Sequence, residues 1–129
     1  MATGSLKKKI LIVEDDPDYL YIVKTNLDNA GFSVVVAGSG EEGLMVQEKE
    51  KPDLILMDIQ LPDPKMDGIE TAKRIKAKNK SLPIIFLTNF SDIEHISKAM
   101  ETTGSDYFVK TETHGDAIVA RIKTKLGIK

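Results

Sequence analysis

Asp53-Leu54-Ile55-Leu56-Met57-Asp58-Ile59-Gln60-Leu61-Pro62 is the stretch from which the rest of the chain can be read. Its apolar run shows no polar alternation, which suits a strand covered on both faces. Pro62 ends any regular continuation, because it has no amide hydrogen to donate. The run delivers one carboxylate, Asp58, at its C-terminal end. An ionised group at the mouth of a buried strand is costly unless something pairs with it. Its partners must come from elsewhere in the chain.

Outward from this strand, apolar runs and helical patterns alternate. Ile10–Val13 reads as a four-residue strand, followed by Glu14-Asp15-Asp16-Pro17. Pro17 fits the first position of a helix and Asp16 its cap, with Leu20, Val23, Leu27 and Ala30 on one face and a stop at Gly31. Phe32–Ala37 is a second β-rich run, and Ser39 with Glu42 forms a capping box for a helix to about Lys49. After the Asp58 strand, Gly68 opens a helix with Ile69, Ala72 and Ile75 inward and a basic, solvated outer face. Leu82–Leu87 is the next strand, ending at Thr88, and Ser91 with Glu94 caps a helix lined by Ile93, Ile96, Ala99 and Met100. Asp106–Val109 is a fifth strand ending at Lys110, and Thr113 and Asp116 cap a last helix with Ile118, Ile122 and Leu126 inward. Five strands alternating with five helices through short connections imply right-handed βα units, a parallel sheet and helices on both faces.

Composition sets the limits. The 129 residues, 41% hydrophobic and 29% charged, suit one ordinary globular domain. With no cysteine, disulfides, zinc–thiolate sites and thiol catalysis are excluded. A net charge of −2 gives no general attraction to nucleic acid or an anionic membrane. No apolar run is long enough to span a bilayer and no secretory signal is visible, so a cytoplasmic location is expected. Residues 1–6 read as a disordered lead or tag remnant and residues 7–128 as the domain. The end at Lys129 is compatible with a stand-alone protein or a piece of a longer one. His95 and His114 lack metal-ligand spacing and are expected at the surface.

In an open parallel sheet, ligands bind outside the carboxyl ends of the strands. Just past those ends come Glu14-Asp15-Asp16, Asp58, Thr88 and Lys110, all sent to one edge. Crowded carboxylates raise one another's pKa unless a cation joins them. With oxygen ligands alone, Mg2+ is the natural choice. An Asp carboxylate can attack phosphorus and form an acyl phosphate. Lys110 can meet a phosphoryl oxygen as a point charge, and Thr88 can donate a hydroxyl to one.

Ile-Leu-Ile-Val-Glu-Asp-Asp-Pro, Leu-Met-Asp-Ile-Gln-Leu-Pro, Met-Asp-Gly-Ile-Glu, Phe-Leu-Thr-Asn and Asp-Tyr-Phe-Val-Lys together resemble the receiver domain of two-component response regulators, from Lys7 to Ile128. The resemblance implies a flavodoxin-like (βα)5 fold with sheet order 2-1-3-4-5. It implies that Asp58 takes a phosphoryl group from a histidine kinase or phosphotransfer protein, and that the domain is a switch, not a turnover enzyme. By the same resemblance, Asp15, Asp58 and the Gln60 carbonyl hold the metal directly and Glu14 through water. Asp16 is then the helix cap, although an Asp15–Asp16 pair is the alternative register. Thr88 and Tyr107 are the implied switch residues, acting on the face of the fourth helix, fifth strand and fifth helix, which also serves as a homodimer surface. The recipient is a downstream target or output domain.

Four features depart from the family pattern, one being Gly104, the glycine before the fifth strand, which is displaced by one from its usual place. Thr111 stands where a proline, commonly with a cis bond, follows the lysine; a cis bond before threonine would cost several kcal/mol. The loop Leu61–Gly68 is two residues longer than usual. Asn89 and Phe90 are bulkier than the usual neighbours of the threonine and are expected to restrict small phosphodonors or water. Other classes are a non-phosphorylated pseudo-receiver that serves for docking, a Mg2+-dependent phosphatase and a flavodoxin-like cofactor binder. The phosphatase would need a second Asp two residues after its nucleophile, where Gln60 stands. The cofactor binder would need a Gly-, Ser- or Thr-rich phosphate loop after the first strand.

Overall fold

The computed structural model describes residues 7–89, 92–112 and 115–128. Five strands, β1 Lys9–Val13, β2 Ser33–Ala37, β3 Leu54–Asp58, β4 Ile84–Thr88 and β5 Asp106–Val109, alternate with five helices. The helices are α1 Pro17–Asn29, α2 Gly40–Glu50, α3 Gly68–Lys78, α4 Ile93–Thr103 and α5 Gly115–Leu126. All strand pairs are parallel, in the order β2-β1-β3-β4-β5. The expected doubly wound, flavodoxin-like architecture is therefore present.

Strand alternation divides the core in two. Leu11, Val13, Ile55, Met57, Ile84 and Phe86 pack with Ile69, Ala72 and Ile75 of α3 and Ile96 and Ala99 of α4. Ile10, Ile12, Leu54, Leu56, Ile85, Leu87 and Phe108 pack with Val23 and Leu27 of α1 and Ile118 and Ile122 of α5. Every residue of β3 is buried, so burial on both faces explains why its sequence lacks a polar alternation.

Boundaries differ from the sequence expectation where a backbone group has another partner. β2 starts at Ser33, because the Phe32 amide donates back to the Leu27 carbonyl (3.1 Å) and the ring is buried at the end of α1. Ala30 is not on the apolar face; it is the exposed residue that caps the C-terminus of α1. β4 starts at Ile84 because Pro83 cannot donate to a ladder, although its carbonyl accepts from the Ile55 amide (3.0 Å). The N-cap position of α4 falls to Asp92. Ser91, Phe90, Thr113, His114, residues 1–6 and the side chains of Ile93 and His95 lie outside the described residues, so the readings made on them have no structural counterpart.

The long loop after β3 is folded. Pro64–Met66 makes one 3-10 turn capped by Asp63, whose carboxylate accepts from the Lys65 amide (2.9 Å), and Met66 is buried. Asp67 then caps α3 by accepting from the Glu70 amide (2.8 Å). Gly68 lies directly against the strand end: its amide donates to the Ile59 carbonyl (2.9 Å), and a Cβ there would overlap the Asp58 carbonyl. Glycine is required by this close approach. Gly68→Ala is expected to cost about 1–3 kcal/mol, the usual range for forced overpacking, which urea unfolding with an unchanged m-value would report.

Candidate functional site

Register and alternation build the site. Val13 pairs with Met57, so Glu14 stands level with Asp58. Asp58 pairs with Leu87 and Thr88 with Val109, which sets Thr88 and then Lys110 one further step out each. Glu14, Asp58 and Lys110 continue the alternation of Ile12, Leu56 and Phe108, toward α1 and α5. Thr88 follows Phe86, toward α3 and α4. A side chain's face in a strand is fixed by its parity.

The lysine bridges the two buried acids. Its Nζ lies 2.7 Å from Glu14 Oε1 and 3.2 Å from Asp58 Oδ2. Glu14 is 1% exposed and Asp58 4%. Glu14 is held from both sides, its amide donating to the Ala37 carbonyl (2.9 Å) and its Oε2 accepting from the Asp16 amide (3.0 Å). Lys110 Nζ also sits 4.8 Å from the centroid of the Tyr19 ring, a cation–π contact. The Lys110–Thr111 peptide is trans, and Lys110–Glu112 forms a single 3-10 turn.

Asp15 is exposed, yet ligand oxygens of Glu14, Asp15 and Asp58 all lie within 4.8 Å of one another. Asp16 is absent from this group: its Oδ1 accepts from the Asp18 amide (3.0 Å) at the start of α1. The grouping is that of the Glu14–Asp15 register. Gln60 follows, with its amide 3.3 Å from Asp58 Oδ1 and its side-chain Nε2 donating to Asp92 Oδ2 (3.1 Å). Thr88 is buried, but its hydroxyl donates to the Asn89 carbonyl (2.9 Å) instead of reaching toward Asp58. Tyr107 is half-buried against the α3–α4 side of the core, and its carbonyl accepts from Arg121 (3.1 Å). Tyr19 and Asp92 were not singled out in the sequence. Neither carries a local motif, since each meets its partner only through the tertiary fold.

Burial pushes the Asp58 carboxyl up to about 7, and the neighbouring Glu14 carboxylate adds to the rise while Lys110 opposes it. Burial alone would lower the Lys110 ammonium, but Glu14 and Asp58 outweigh it and hold the pKa above the usual lysine range. Three carboxylates thus gather at a site with one ammonium, which pairs with Glu14 and Asp58, leaving two negative charges unbalanced when all are ionised. Among the described residues, Glu14 Oε1 has the Lys110 ammonium at 2.7 Å but no aligned hydrogen-bond donor. An all-oxygen donor set with this charge excess fits a small divalent cation such as Mg2+.

The fold and site define an open α/β domain with an acid–lysine cluster at the carboxyl edge of its sheet. Residues 10–123 match the model of the response regulator receiver domain, and the chain belongs to that family. It is a receiver domain of a two-component response regulator, a signalling module. Over 121 residues it is 36% identical to the alkaline phosphatase synthesis transcriptional regulatory protein PhoP of Bacillus subtilis (strain 168), covering 94% of this chain and 49% of that protein. The chain spans about half the length of the curated relatives it matches, or less. The CheY-like receiver domain protein of Methanospirillum hungatei superposes with a TM-score of 0.85 at 33% identity, covering 94% of each chain. The BeF3-activated receiver domain of RstA from Klebsiella pneumoniae gives 0.80 at 36% identity, covering 92% of this chain and 98% of that one. Among the described residues, no helix is long and apolar enough to cross a membrane.

Asp58 gives the stability a sign. Its folded pKa is raised, so between about pH 4 and 7 the native state binds the extra proton and loses stability as pH rises. With a chelator present, Asp58→Asn should flatten this decline. At pH 8 the variant should be more stable than the parent by on the order of 1–4 kcal/mol, several degrees in Tm. Thermal melts across pH 5–8 check this, and a variant less stable than the parent at pH 8 contradicts it.

Proposed function

We propose that Asp58 accepts a phosphoryl group from the phosphohistidine of a sensor histidine kinase or phosphotransfer protein, with Mg2+ as cofactor. The observation that carries this reading is Asp58 at the buried end of β3, 3.2 Å from Lys110 and grouped with Glu14 and Asp15. Asp15 and Asp58 would hold the cation by their carboxylates and Gln60 by its carbonyl, with Glu14 acting through water. The cation, when bound, neutralises the acids and the incoming phosphoryl oxygens.

The remaining chemistry belongs to the chain. An Asp58 oxygen attacks phosphorus in line, the P–O bond forms as the P–N bond to the imidazole breaks, and the histidine leaves with the electron pair. Lys110 stays beside Asp58 and takes a phosphoryl oxygen as its new partner. Thr88 turns its hydroxyl from the Asn89 carbonyl to that phosphoryl group, and Tyr107 follows on the same side of the sheet. The signal then lies on the face of α4, β5 and α5, which would also support a homodimer. The domain accepts one group per cycle and is not a turnover enzyme. A cytoplasmic location agrees with a kinase partner, and relatives named as transcriptional regulators support an output domain or downstream target as the recipient. Direct binding to nucleic acid is not assigned to this domain.

Intact mass after incubation with acetyl phosphate and Mg2+ tests the reading. A Mg2+-dependent, alkali-labile gain of one phosphoryl group is expected, absent in Asp58→Asn. Lys110→Ala should slow uptake by at least about tenfold, the scale of one charged hydrogen bond. No gain, even from a phosphorylated histidine kinase, would reassign the domain as a docking module.

A further inference from the structure

Among the described residues, four helical segments begin with a cap of one kind. Asp16, Ser39, Asp63 and Asp67 have ψ of 111°, 164°, 114° and −179°, and each side chain accepts from an amide of the turn that follows. Asp92 at the start of α4 is the exception. Its ψ is 4° and its carboxylate makes no capping bond, although aspartate is among the best N-caps. Asp92 is in 3-10 conformation, its amide donating to the Asn89 carbonyl, and its carboxylate is engaged across the site mouth, where Gln60 Nε2 donates to Oδ2 at 3.1 Å.

The same residue is tied to Thr88. The Asn89 carbonyl accepts both the Thr88 hydroxyl (2.9 Å) and the Asp92 amide (3.1 Å). Gln60, in turn, has its own amide beside Asp58. A line of hydrogen bonds therefore runs from Thr88 through Asn89 and Asp92 to Gln60, passing from β4 to the loop after β3.

We propose that Asp92 is a partner-exchanging positioning residue: Gln60 holds its carboxylate while Asp58 is unmodified, and release lets it cap α4. The trigger rests on the phosphoryl-acceptor reading. When the Thr88 hydroxyl leaves the Asn89 carbonyl for a phosphoryl oxygen, that carbonyl loses one of its two donors and its hold on the Asp92 amide can change. ψ of Asp92 can then open to the extended value seen at the other caps, and the carboxylate can take the amides of Glu94 or His95. The exchange trades one hydrogen bond for another of similar strength, so a small bias decides it. Its product is a better-ordered first turn of α4, on the face assigned to signalling.

Amide hydrogen exchange of Glu94 and His95, in the full chain and without any phosphodonor, tests the exchange directly. Gln60→Met keeps the side chain's length but removes its donor. It should slow the exchange of at least one of these amides by about fivefold, the scale of an N-cap. The gain should vanish in Gln60→Met/Asp92→Ala, since capping needs the Asp92 carboxylate. In the parent, beryllofluoride with Mg2+ should produce the same slowing, and Asp92→Ala should abolish it. Unchanged exchange in Gln60→Met, or slowing that survives Asp92→Ala, would overturn the proposal. Failure of the parent to bind beryllofluoride, read by 19F NMR, would count against the trigger and the acceptor reading, while the donor-free comparison still decides whether Asp92 exchanges partners.

Discussion

A single ammonium between two buried acids is the interaction on which the site depends. Lys110 reaches Glu14 at 2.7 Å and Asp58 at 3.2 Å in surroundings that neither acid would occupy charged without it. Removing the ammonium from such a cluster is expected to cost far more than the cluster contributes, because both acids then stay buried without it. The arrangement is still short of positive charge, and burial first, then the neighbouring Glu14, raises the Asp58 pKa despite Lys110. Strongly shifted groups collected at a sheet's carboxyl edge are characteristic of working sites. The excess negative charge leaves room for a cation.

Around this cluster, the alternation of the strands separates two tasks. Glu14, Asp58 and Lys110 point to the α1–α5 side, where Tyr19 covers the lysine. Thr88 and Tyr107 point to the α3–α4 side, and Tyr107 packs with its core. Gly68 and Asp67 hold the loop after β3 tightly against the strand end, so the mouth of the site is framed by folded backbone despite the loop's length.

The helix caps show how this rigidity is distributed. α1, α2 and α3 begin with satisfied caps, and their amides next to the site are fixed. α4 begins with an aspartate whose carboxylate bonds across the site mouth. Local stability is expected to be lowest at such unsatisfied ends, and elements that move are drawn from them.

Much of the fold was legible in the chain because it rests on local periodicity. Unbroken apolar runs gave the buried strands, and caps such as Asp16-Pro17 and Ser39 marked helix starts. Errors fell where a backbone group found a nonlocal or competing partner, as at Phe32, Pro83 and Ala30. The site residue types and their common edge also followed from sequence, since every parallel strand sends its C-terminal end the same way. What tertiary structure alone decided is which of those groups touch. Grouping Asp15 with Glu14 and Asp58, while Asp16 turns to its helix, depends on the register between β1 and β3. The Tyr19–Lys110 and Gln60–Asp92 contacts join residues 91 and 32 positions apart. No periodicity encodes such pairs; they exist because the packed sheet and helices bring distant segments within a few ångströms.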